Sequence, residues 1–156
     1  MIVSMRLPAI LVLTCGVAAL AATTDPFAGR WELNVARCKY EGARAPQRLT
    51  VVYESIGAGI RYQSFGLYSD GKQLSSAYSA NFDGKQYPVA GSRTWAPVAL
   101  KRVDARTIEA KYVRDRRVQS TAVSVVSGDG RTLTVTTVTL NGAGEGITNV
   151  SVFERK

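Results

Sequence analysis

Three Asp-Gly steps punctuate this chain, each between short runs rich in Val, Thr, Tyr and Ser: "SDGKQ" at 69–73, "FDGKQ" at 82–86 and "GDGRT" at 128–132. Asp and Gly both tolerate positive φ, the backbone state that a tight hairpin needs, so each step predicts an antiparallel reversal. "VDART" at 103–107 and "NGAGE" at 141–145 act as further hairpin loops. The runs between them alternate with period two. "RWELNV" puts Trp31, Leu33 and Val35 on one face, and "RLTVVYE" sets Leu49, Val51 and Tyr53 opposite Arg48, Thr50 and Glu54. Nine candidate strands follow from Arg30 onward, and "QYPVAGSRT" can hold a short tenth. Consecutive hairpins with one apolar face must bury that face, and closing the sheet on itself also removes its exposed edges. The expected fold is all-β: an antiparallel up-and-down meander of about nine or ten strands closing into a barrel.

The first residues follow a different rule. Arg6 precedes the apolar run "LPAILVLTCGVAALA", and Ala19-Leu20-Ala21 offers small residues for cleavage. These are the three parts of a secretory signal, so residues 1–21 are expected to be a leader and 22–156 one barrel domain, periplasmic or secreted. A membrane anchor would need about 20 apolar residues, and a lipid on Cys15 would need a small residue where Thr14 stands. Removing the leader removes Cys15, so the mature chain keeps Cys38 alone and has no internal disulfide. Of the formal charge of +8 only Arg6 is lost, leaving +7. A basic surface of that size favours anionic partners, an envelope surface among them. Nucleic acid is not expected, because the cations are scattered and "RDRR" at 114–117 is their one cluster.

Residue types narrow the chemistry. The chain has no His, which removes the commonest general base and a common metal ligand, so neither metal nor cofactor is expected. Asp70, Asp83 and Asp129 belong to the Asp-Gly turns, where their work is structural. The expectation is a protein that binds and does not catalyse.

Both ends of the chain carry a family resemblance. Gly29-Arg30-Trp31 opens the first strand and Arg155 lies near the end of the last, in "VFERK". A Gly-x-Trp with a late basic residue resembles the calycin group, the lipocalins and fatty-acid-binding proteins, here in an exported, bacterial-type form. The resemblance implies that Trp31 packs across the closed end of a lipocalin-like barrel and that Arg155 covers it. A guanidinium on an indole face is also favourable in its own right. "FAGRW" and "SVFER" are similar to the ends of fatty-acid-binding proteins in particular. However, Ser151 and Phe153 stand where that family's carboxylate-binding Arg and Tyr would be. The connection "ARCKYEGARAPQ" is also too short for its pair of lid helices.

With Trp31 facing inward, alternation also turns inward Tyr53, Tyr62, Ser64, Ser76, Tyr78, Phe82 and Tyr112, with Ala110 among them. Tyrosines interleaved with Ser and Ala suit a partly wet cavity for a small hydrophobic or amphipathic molecule; rings reaching the rim of a filled barrel are the other reading. Arg102 shares parity with Val98 and Leu100. It is either the counter-ion of an anionic ligand or a solvated strand end. Two other functions stay open: a filled barrel acting through its basic surface, and a cavity enzyme of isomerase or cyclase type using Tyr as acid or base.

Overall fold

The computed structural model describes residues 24–41, 45–91 and 96–156; the expected leader lies outside them. The strands are β1 (Gly29–Leu33), β2 (Lys39–Tyr40), β3 (Pro46–Ile56), β4 (Gly59–Tyr68), β5 (Gln73–Asn81), β6 (Gln86–Tyr87), β7 (Ala90–Gly91), β8 (Val98–Asp104), β9 (Thr107–Arg114), β10 (Arg117–Val126), β11 (Thr132–Leu140) and β12 (Gly146–Arg155). Helical structure among the described residues is a single 3-10 turn, Val35–Arg37. The strands form one antiparallel sheet in the order β6-β8-β9-β10-β11-β12-β1-β3-β4-β5-β7, with β2 also on β12.

The sheet has two edges, β6 and β7, yet only Pro88 and Val89 separate them in the chain. The sheet is therefore curled round until both edges lie on one stretch. Gln86 and Tyr87 pair with β8, and Ala90 pairs with Ala77 of β5. This stretch is the short tenth strand expected in "QYPVAGSRT". Pro88 has no N–H to give a ladder, which explains why the strand splits there into two halves facing different neighbours. β1 and β2 make a second broken strand. β1 pairs with both β12 and β3, the 3-10 turn interrupts it, and β2 resumes along β12. Half-buried Cys38 sits in this break, its Sγ 3.3 Å from the Val152 N–H and 3.2 Å from the Asn34 carbonyl.

The turns follow their chemistry. Gly71, Gly84 and Gly130 all adopt positive φ, and Asp70, Asp83 and Asp129 each accept the backbone N–H two residues on, at 3.0–3.2 Å. The Lys85 N–H, given to the Asp83 carboxylate, holds that group below the ordinary carboxylate range. The β9–β10 hairpin is different, because two residues with side chains, Asp115 and Arg116, hold φ at 50° and 61°. This is the two-residue turn with both central residues left-handed, filled without a glycine.

Candidate functional site

One end of the barrel is shut. Trp31 has no exposed surface and gives its Nε1–H to the Phe27 carbonyl at 2.9 Å. Arg155 is its direct cross-strand partner in β12, and the guanidinium carbon lies 4.1 Å from the indole centroid. The same guanidinium donates to the carbonyls of Gly130 at 2.7 Å, Ala28 at 2.6 Å and Pro26. One side chain thus stacks on the plug and ties down the segment that leads into it. Gly29 lies under that guanidinium with φ +129°, and a Cβ there would come 2.8 Å from Arg155 Nη1. Only glycine combines that φ with that clearance.

Arg102 belongs to this end and not to a ligand site. It pairs with Asp25 at 2.6 Å, with both side chains mostly buried, at 24% and 17% exposure. Its guanidinium also lies 4.4 Å from the Phe82 ring centroid and 5.4 Å from that of Phe27. Both expectations for Arg102 are corrected. It is neither a free counter-ion nor a solvated strand end, because a carboxylate from before β1 folds under the barrel and neutralises it. Phe82, expected in the cavity lining, is instead half-buried beneath this arginine.

Beyond the plug lies a cavity of about 550 Å³ that opens at the other end of the barrel. Tyr53, Tyr62, Tyr78 and Tyr112 all line it. Three of the rings form a row across neighbouring strands, because Tyr53 pairs with Tyr62 and Tyr62 with Tyr78. Phe27 meets Tyr53 edge-on at 5.7 Å, Tyr53 meets Tyr62 edge-on at 5.2 Å, and Tyr62 stacks on Tyr78 at 4.7 Å. Burial pushes all four phenols up from their ordinary value. The neighbouring hydroxyls of Ser124 beside Tyr53 and Ser64 beside Tyr62 offset part of that rise. Ser64 and Ser76, expected in the lining, lie behind it. They face each other across β4 and β5, and Ser64 Oγ turns into the wall toward the Ser76 carbonyl at 3.4 Å.

The wall opposite the tyrosines went unnoticed in the sequence. It comes from β10, β11 and β12 and presents Ser120, Ser124, Thr137, Thr139, Asn149 and Ser151. In "RTLTVTTVTL" both parities carry Thr and Val, so alternation does not say which face is inside. In β10 the apolar rule even reverses: Val123 and Val125 are exposed, while Ser124 is buried. The usable signal was size, since small residues must face a row of bulky rings across a narrow barrel. At the mouth stand Arg114, the charged side chain in this lining, and Gln119. A register shift between Val118 and Ser120 marks a bulge at Gln119, a device that re-aims side chains. Among the described residues no three His, Cys, Asp or Glu side chains come together to hold a metal.

No family model matches this chain, and no curated protein matches its sequence. Solved structures share its shape. Zebrafish ileal bile acid-binding protein, crystallised with cholic acid, superposes with a TM-score of 0.53 at 10% identity, over 84% of this chain and 99% of that one. Apocrustacyanin C1 gives a TM-score of 0.44 at 12% identity, over 85% of this chain and 62% of that one. The chain has a calycin-like fold, a curled antiparallel β-barrel of the kind seen in the zebrafish protein.

Proposed function

We propose that this protein is exported and carries a small apolar or amphipathic molecule in its barrel, without acting on it chemically. The observation that carries this reading is the cavity itself, about 550 Å³ with one wall of tyrosine rings and one of hydroxyls and amides. Such a volume is in the range of small-molecule sites. Deep in the cavity the tyrosine rings pack edge-on and stacked against one another, so the inner end suits an apolar group. Nearer the mouth, Asn149, Thr139, Gln119 and Arg114 suit a polar or anionic head. The zebrafish protein, solved with cholic acid, holds an amphipathic acid on the same fold. Tyrosines whose phenols burial holds protonated are poor general bases near neutral pH, which speaks against an isomerase or cyclase role.

An apolar fluorophore should bind the full-length mature protein with saturation, and amphipathic acids should displace it. Ala110 lines the cavity, and its replacement by Trp should weaken fluorophore binding at least tenfold while the urea transition stays cooperative. A filled interior would answer differently: no saturable binding, and overpacking that costs about 1–3 kcal/mol. For export, the intact mass of protein recovered from the cell envelope should correspond to a chain starting within two residues of Ala22. A retained leader would refute the export half of the proposal and leave the cavity half standing.

A further inference from the structure

A second concave site lies mainly on the outside of the barrel and shares only Leu49 and Leu74 with the cavity lining. It is a groove of about 680 Å³ running across the outer faces of β1, β3, β4 and β5. Cross-strand register sets its floor: Glu32 pairs with Thr50, Thr50 with Phe65, and Phe65 with Ser75. Neighbouring strands are about 4.8 Å apart, so this row spans about 14 Å. Small hydroxyl residues flank Phe65 on both sides, and its ring stays 47% exposed. An exposed aromatic in mid-strand has given up the burial that would normally stabilise it.

Arginines lie on both sides of this ring. Arg30 places its guanidinium carbon 5.7 Å from the Phe65 centroid and is paired with Glu32 at 3.3 Å. Arg48 stands on the other side, opposite Leu67, whose own partner across β5 is Gln73. Arg48 is exposed and has no ion-pair partner among the described residues, whereas Arg61 is satisfied by Glu54 at 2.8 Å. The groove therefore offers one uncovered aromatic face, one uncommitted guanidinium, one carboxylate, and the short polar side chains of Thr50, Ser75 and Gln73.

We infer that this outer groove binds a carboxylate-bearing glycan. A pyranose ring can lay its C–H face on Phe65. Its hydroxyls meet Thr50, Ser75, Gln73 and the Glu32 carboxylate, and a uronate carboxylate pairs with Arg48 in the two-pronged geometry that arginine favours. The single aromatic argues against a nucleic-acid strand, because single-stranded nucleic acid is held by successive stacking aromatics and Phe65 is the one aromatic in this lining. Glu32, held by Arg30 and Lys156, is an acceptor for a sugar hydroxyl. The basic excess of the chain adds long-range attraction for a polyanionic partner.

The test is calorimetric titration of the full-length protein at about 0.15 M ionic strength. The probes are a galacturonic acid hexamer, its methyl ester and a thymidine oligonucleotide. The acid hexamer should bind, with the ester and the oligonucleotide at least tenfold weaker. Phe65→Ala and Arg48→Gln should each weaken the acid at least tenfold and leave the cavity fluorophore's affinity unchanged. Both side chains are exposed, so neither change removes core packing. Ala110→Trp should leave hexamer binding intact, which separates this site from the cavity. The inference is overturned if the acid hexamer does not bind, if either variant binds it as tightly as the parent, or if Ala110→Trp abolishes its binding. An oligonucleotide that binds as tightly as the acid and depends on Phe65 would overturn the glycan assignment in favour of a nucleic-acid strand.

Discussion

Trp31→Ala should destabilise the protein by about 3–5 kcal/mol in urea melts, the largest loss expected from a single side chain here. The ring is completely buried, joins the core cluster that includes Phe27, Val51 and Phe153, and carries a hydrogen bond to the Phe27 carbonyl. Truncation leaves a cavity at the closed end and removes the surface on which Arg155 lies. Arg155→Ala should cost less, about 2–3 kcal/mol. It loses the cation–π contact and strands the carbonyls of Pro26, Ala28 and Gly130, some of which water can then reach. The double variant should lose less than the sum of the two single losses, because the pair is in direct contact. Strict additivity would mean that the stack holds nothing and that Arg155 acts through the carbonyls alone.

A second large effect is expected from a change of one methyl group. Gly59 opens β4 where it crosses β5, and a Cβ added there would lie 2.0 Å from the Ala80 carbonyl oxygen and 2.6 Å from the Asn81 Cα. Both obstacles are backbone, so no rotamer change relieves them. Gly59→Ala must pull β4 away from β5 at the pairs Gly59–Asn81 and Ile60–Ala80, both of which carry buried residues. The expected cost is about 3 kcal/mol, at the upper end for overpacking. Denaturant unfolding is the measurement, and a midpoint within error of the parent would show that the strands have room to part there. The position matters because a sheet curling into so small a barrel brings neighbouring backbones closest where a strand has no side chain.

These two residues show how differently parts of the fold could be read from the sequence. The ends were legible. Gly29, Trp31 and Arg155 stood out through the resemblance of the two ends to calycins, and the structure brings them together as a stack. The hairpin rhythm was legible too, because Asp-Gly turns act within a few residues and carry their own backbone preference. The tyrosines were legible as candidates for one face through the alternation within each strand, and Tyr53, Tyr62, Tyr78 and Tyr112 line one cavity. Gly59 was not singled out, because nothing local distinguishes a glycine that must be absent of side chain from one that merely ends a turn.

Arg102 and Asp25 mark where reading along the chain failed. Their separation of 77 residues hides a bond that forms only when the segment before β1 folds under the barrel. Parity said which way Arg102 points but could not supply the carboxylate that meets it. The hydroxyl wall was missed for a related reason. Val and Thr are nearly the same shape, so in β11 neither face announces itself, and curvature of the whole sheet decides which one turns inward. The sequence by itself determined the hairpins and the antiparallel class, which rest on local backbone preference and period-two alternation, and its two ends pointed to the plug through their resemblance to calycins. Only the tertiary structure decided that Arg102 is neutralised by Asp25, that the interior is open, and that Phe65 lies bare on an outer groove. Each of those depends on which distant strands become neighbours when the sheet closes.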